Sequence, residues 1–376
     1  MEIAMKNKLK YFLFLLPALA AVLIYFILPH FPTVTENVFS RGVFYIFSWP
    51  LGWVVSLIPF SLTEAALFIG GLIWLVYGVF FWIGFAKKSK PERREILKKT
   101  VRRYGWVLSC ALLLYMIMHG ANYYRYPVEK LMNLDVSTGT PEELRDICVN
   151  LAQKASAERE ALSENDKGEM ILSQTMSKTL ERADEGYKKI QEQYPFLRGG
   201  VWRTKPVILS HYWSYTGITG MYFPLWGEAN VNTDGPHCDI PFTAAHELAH
   251  TRGFAREDEC NFFAYVSGIH STDAEYRYSA YLSAFLYCAG DLSPYEELHK
   301  EVWSHISDAI RRDLTGRNEY WKQFETPVGK VVGDASEKVN DAFIKGQGVE
   351  DGVLSYGRVS QLIIGYERNW RVTTDQ

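Results

Sequence analysis

Three stretches in the first third of the chain carry no charged side chain: Tyr11 to Pro29, Ala65 to Phe85 and Tyr104 to Tyr124. As helices rising about 1.5 Å per residue, each is long enough to cross a hydrocarbon core of roughly 30 Å. Backbone N–H and C=O groups find no water there, so such a segment must satisfy them internally and be helical. Ala18-Leu19-Ala20 imitates a signal-peptide cleavage site, but the apolar run continues through Val22 to Leu28. That is longer than a typical signal core, so the first stretch reads as an uncleaved anchor.

Charge around these stretches sets their orientation. Lys6, Lys8 and Lys10 precede the first, and a loop from Lys87-Lys88 to Arg102-Arg103 separates the second from the third. Basic loops stay in the cytoplasm. Gly42 to Thr63 also lacks charge, but Pro50, Gly52 and Pro59 interrupt it. A full crossing there would carry the basic loop outside, so it reads as an interfacial or re-entrant segment on the outer face. The expected organisation is a membrane anchor over residues 1–125 with three crossings, then a domain over 126–376 outside the cytoplasm. Trp106 and Tyr123-Tyr124 suit the two interfaces of the third crossing.

The outer part reads as mainly helical. Thr140-Pro141-Glu142-Glu143 has a capping threonine, a proline at the first helical position and an acidic first turn. Leu144, Ile147, Leu151 and Ala155 follow at helical spacing, and Asp184 to Tyr194 continues in that style. Val207-Ile208-Leu209-Ser210 and Gly220 to Leu225 read as strands, with Glu228 to Asn232 extending or following the second. Asp273 to Ala289 is an aromatic helix whose Tyr276, Tyr278, Tyr281, Phe285 and Tyr287 read as core, with one tyrosine as a candidate oxyanion donor. Net charge is −3, which gives no reason to expect nucleic acid as a partner. Cys148, Cys238, Cys260 and Cys288 lie where disulfides are allowed, but their spacing shows no framework.

Residues 246–250 read His-Glu-Leu-Ala-His. Positions four apart share one helix face, so His246 and His250 can offer two imidazole nitrogens to one metal ion. Glu247 can reach a water at that metal rather than the metal itself. Thr251-Arg252-Gly253 provides a glycine for a sharp turn after the second histidine. A second helix then opens with Glu257-Asp258-Glu259. Acids favour a helix N-terminus in any case. The sharper reading makes one of them the third ligand.

The pairing of Glu257 with Asn261 four residues on resembles the glutamate helix of the gluzincin metallopeptidases. That resemblance implies Glu257 as third ligand and Asn261 as the residue that orients a ligating histidine. Glu259 is the alternative, then Asp258, and Cys260 ranks below Glu257. The short gap from His250 is closer to the metzincin pattern, but Arg256 stands where that pattern needs a histidine. The run from His246 to Asn261 also resembles a family of uncharacterised bacterial membrane proteins that carry a HELAH…GFAREDEAN-type signature and a C-terminal zincin-like domain. Gly227-Glu228-Ala229-Asn230-Val231-Asn232 and Ser355-Tyr356-Gly357-Arg358 are similar to other marks of that family.

The resemblance implies N-terminal transmembrane helices followed by an α+β zincin-like metallohydrolase domain, in a multi-pass protein of the bacterial cell membrane. It implies Zn2+ as cofactor and a lipid bilayer as surroundings. An edge strand beside the active-site helix would hold substrate, with Glu228, Asn230, Tyr356 and Arg358 as candidate substrate contacts. The expected activity is zinc-dependent hydrolysis of peptide bonds in a peptide or protein outside the cytoplasm, with Glu247 as the base. Two alternatives stand beside it: a metal-containing receptor or sensor with little turnover, and a structural zinc site with four protein ligands.

Overall fold

The computed structural model describes residues 12–200, 203–349 and 358–374. It is mainly helical, with one small sheet. Among the described residues, four helical segments are long and apolar enough to cross a membrane. They comprise α1 (Leu16–Ile27, prolonged by short 3-10 turns over Leu13–His30), α2 (Pro32–Ser56), α3 (Leu62–Ala86) and α4 (Lys90–Met118). Three match the expected crossings. The fourth, α2, lies where an interfacial or re-entrant segment was expected. It is π-wound over Thr35–Val43 and contains Pro50. The basic loop is helical: Ser89 and Glu92 form a reciprocal capping box that starts α4 on its charged end.

Beyond α4 come α5 (Pro141–Arg159), α6 (Met176–Arg182) and α7 (Asp184–Gln193). The Thr140 cap forms as expected, accepting from the Glu143 N–H at 3.2 Å. Leu144, Ile147, Leu151 and Ala155 are all buried.

The sheet has three strands in the order β1-β3-β2. β1 (Lys205–Pro206) runs parallel to β3 (Glu228–Val231), and β2 (Gly220–Phe223) runs antiparallel to it. The strand expected over Val207 to Ser210 stops short. The N–H groups of Ile208 and Leu209 donate instead to the Glu64 carboxylate, at 2.8 and 2.7 Å, which draws the chain off the sheet. All of β3 is buried.

The core lies between α8 (Ile240–Thr251), α9 (Glu257–Ile269) and α10 (Ala274–Asp291), with α5 packed along α10. Phe254, Phe262, Phe263, Tyr265 and Phe285 are fully buried there, each contributing about 1.5–3 kcal/mol by leaving water. Two later helices, α11 (Asp308–Lys322) and α12 (Pro327–Gly346), precede the closing α13 (Val359–Thr374). Asp313 of α11 is buried against Arg159 of α5 at 2.7 Å. All five cysteines are free thiols.

The expected boundary near residue 125 is crossed by buried polar contacts. Glu36 of α2 accepts from Arg125 twice, at 2.9 Å each, and Arg125 also donates to the Gly253 carbonyl at 2.7 Å. Glu64, in the first turn of α3, takes the two N–H groups named above.

Candidate metal centre

Helix α8 opens with Pro241 in its first turn, where a missing N–H costs nothing. It closes at Gly253, whose φ of +78° is left-handed. The Gly253 N–H bonds the His250 carbonyl at 3.0 Å and the Phe254 N–H bonds the Ala249 carbonyl at 3.3 Å. These are the two bonds of a glycine-terminated helix end. The reversal turns the Phe254 carbonyl back onto His250, 2.9 Å from Nδ1. Three residues later α9 begins, with Glu257 in its first turn.

The two helices bring three ligand atoms together. Nε2 of His246 lies 3.1 Å from one Glu257 oxygen, and Nε2 of His250 lies 3.7 Å from the other. Among the described residues, His246, His250 and Glu257 are the group whose ligand atoms all fall within 4.8 Å of one another. Asn261 sits one turn beyond Glu257, and its Oδ1 is 2.7 Å from Nδ1 of His246. A carbonyl oxygen therefore accepts from Nδ1 of each ring, which keeps a proton there and points both Nε2 atoms at Glu257.

Burial and charge set the protonation of the cluster. Burial works against a charge on His246, but the bond and charge of Glu257 outweigh it and lift its pKa to about 9. Burial lowers His250 to about 4. Burial alone would raise Glu257, yet the imidazoles of His250 and His246 hold it at about 2. Burial raises Glu247 to about 8. The Oε2 atom of Glu247 is buried and has no hydrogen-bond partner among the described residues.

This donor set fits a zinc ion. Two nitrogens and one carboxylate converge, each imidazole is oriented from behind, and an unpartnered buried carboxylate oxygen stands beside them.

Other expected residues are placed differently. Glu259 accepts from the Val128 N–H at 3.1 Å and from Arg256 at 2.8 Å, outside the cluster. Asp258 pairs with Arg358 at 3.2 Å. Cys260 lies 3.3 Å from Nδ1 of His250, on the side of the ring away from Glu257. Glu228 and Asn230 bind Ser61 and the first turn of α3. Glu228 accepts from Lys205 at 2.7 Å, from Leu62 N–H at 2.9 Å and from Thr63 at 2.7 and 2.6 Å, while Asn230 accepts from Ser61 at 2.6 Å. Tyr356 lies outside the described residues. In α10, Tyr276 donates to the Thr179 carbonyl and Tyr278 to Asp313, while Tyr287 is the tyrosine there within electrostatic reach of Glu257.

Sequence reasoning missed the other wall. His119, the residue after α4, is buried with its ring centroid 5.6 Å from that of His250. The Tyr222 ring stacks on His250, also at 5.6 Å, and its hydroxyl donates to the Met118 carbonyl. Gly220 of β2 lies so close to Glu247 that a Cβ there would collide with its carboxylate. A lone imidazole ending an apolar membrane helix was the available signal, since polar groups in such helices are costly unless used.

No curated protein and no solved structure matches the chain. One family model does match, over residues 39–364, so most of the chain is covered. The chain belongs to the family described as Protein of unknown function (DUF3810).

Proposed function

We propose that the chain is a membrane-bound, zinc-dependent peptidase with a zincin-like domain, acting on peptides or proteins outside the cytoplasm. The observation that carries this is the convergence of Nε2 of His246, Nε2 of His250 and the Glu257 carboxylate beside the unpartnered Oε2 of Glu247. Zinc in such a set activates a water and polarises a carbonyl.

The chain's own residues do the rest. Glu247 takes the proton of the attacking water and passes it to the departing amine. Burial raises Glu247 to about 8, so a cation bound beside it would be what keeps it ionised before that transfer. Asn261 and the Phe254 carbonyl fix both imidazoles. β2 is an edge strand among the described residues, and its Gly220 abuts Glu247. An extended peptide added to that edge would lay its backbone across the centre.

The test uses full-length protein purified in mild detergent and supplied with zinc. Wild type should cut a peptide library. Glu247→Gln should bind equal zinc by elemental analysis and lose at least about 100-fold in rate, the low end for a general base. Full activity of Glu247→Gln on the same library would refute the mechanism.

A second reading, a metal-containing sensor, draws support from the buried link Glu36–Arg125–Gly253, which ties α2 to the end of the histidine helix. In that case Glu247→Gln keeps the biological output and neither form shows turnover.

A further inference from the structure

We propose that the substrates of this centre are polypeptides held at the membrane surface and cut within a few residues of their own membrane anchor. This rests on the peptidase reading and adds where the substrate must lie.

Helix α2 meets one globular body near its start and at its middle, and the chain that follows it meets the same body again. Near its start Glu36 holds Arg125. In its middle Phe44 is fully buried, and a Cβ placed on Gly253 would stand 3.2 Å from its ring. Tyr45 beside it donates to the Arg198 carbonyl at 2.6 Å. A few residues beyond its end, Leu62, Thr63 and Glu64 in the first turn of α3 bond to Glu228 and to residues 208–209. A crossing helix delivers its two ends to opposite faces of the bilayer, roughly 30 Å apart. A globular body with buried ion pairs such as Lys205–Glu228 stays on one face, in water. Helix α2 therefore lies along the membrane beneath that body, while α1, α3 and α4 cross. Its outward side supports this: Ile46, Phe47, Trp49, Trp53, Val54 and Leu57 are exposed, and tryptophans on an apolar helix face suit the headgroup boundary.

The candidate metal centre is joined to this helix through the end of the histidine helix. Gly253, which ends the histidine helix, touches Phe44, and His119, which touches His250, is the first residue beyond α4. One helix thickness, about 10 Å, separates that end of the centre from lipid.

Helix α12 flanks the same place. It exposes Val328, Val331 and Val339 on one side, with Lys330, Asp334 and Glu337 on another. Its end is fastened to membrane helices. The Phe343 ring lies 6.0 Å from that of Tyr115, and Tyr25 donates to the Gly346 carbonyl at 3.0 Å. An amphipathic helix so attached lies in the interface. The bonds within reach of Glu247 are then those that emerge from the bilayer close by.

Full-length protein is reconstituted in phosphatidylethanolamine and phosphatidylglycerol vesicles with zinc. It is offered a single-span peptide with a long randomised tail, and the same tail without the span. Cut sites are mapped by mass spectrometry, with Glu247→Gln as the blank. The expected cuts fall within about five residues of the span, because an extended chain covers only about 3.4 Å per residue. A centre standing about 30 Å above the lipid could not cut nearer than about nine residues. Cuts only beyond that distance, or cutting of the free tail alone, overturn the proposal and leave the peptidase reading intact. No cutting of either tail overturns both.

Discussion

His246 and His250 share a helix face with or without a metal, but what aims them comes from elsewhere. Asn261 on the next helix and the Phe254 carbonyl after the Gly253 reversal each bind an Nδ1. The spacing of the histidines and the Glu257–Asn261 relation were legible along the chain. The choice among Glu257, Asp258 and Glu259 was not, because successive residues on a helix point about 100° apart and only packing decides which one faces inward. Protonation follows from the same geometry. His246 is raised to about 9, so at pH 7 its second nitrogen carries a proton on the Glu257 side, while His250 is neutral and Glu257 ionised. A metal ion must displace that one proton. Glu247, raised to about 8, is also protonated at pH 7 and must ionise beside the cation to act as base, so zinc binding at pH 7 should release more than one proton, and apparent affinity should rise at least about tenfold per pH unit as pH climbs toward these values. Calorimetry in buffers of different ionisation enthalpy measures the release; none at pH 7 would show that His246 is already neutral.

Helices were easier to read than strands. The Thr140 cap and the apolar spacing after it are local signals, and α5 forms as its residues dictate. The strand at 207–210 was misjudged because its N–H groups are captured by Glu64, a residue distant in sequence. Helix α2 shows the same limit: its composition describes an apolar segment, while Glu36, Phe44 and Tyr45 decide what it lies against. Arg125 ties three elements together. It is buried, pairs with Glu36 and supports Gly253. Replacing it, Arg125→Met, leaves buried Glu36 with only the partly exposed Arg41 as its ionic partner and should cost about 3 kcal/mol, the low end for a broken buried pair. The double variant Glu36→Leu/Arg125→Met should recover much of that loss, since no charge is then stranded. Thermal denaturation of the full chain in detergent reads both, and a single variant as stable as wild type would contradict the assigned role.

At the scale of the molecule, residues 126–376 do not stand apart from the membrane part. Glu228 spends its carboxylate on Leu62 and Thr63 as well as Lys205, and Gly253 rests on Phe44. A fragment limited to 126–376 should therefore aggregate or elute as a heterogeneous species on size exclusion, whereas the full chain in detergent elutes as one. A well-folded, zinc-binding fragment would show these contacts to be dispensable. Several features belong to the chain alone: apolar helices long enough to span a bilayer, a basic loop between two of them, and two histidines placed to share an ion. Each depends on neighbours a few residues apart, and backbone periodicity suffices to read it. Tertiary structure alone decided that His119 and Tyr222 wall the centre, that Glu228 and Asn230 bind Ser61 and the first turn of α3, and that Phe44 of α2 packs against Gly253. Those outcomes depend on which buried donors and acceptors find one another across more than a hundred residues, and hydrogen-bond satisfaction at that range leaves no periodic trace along the chain.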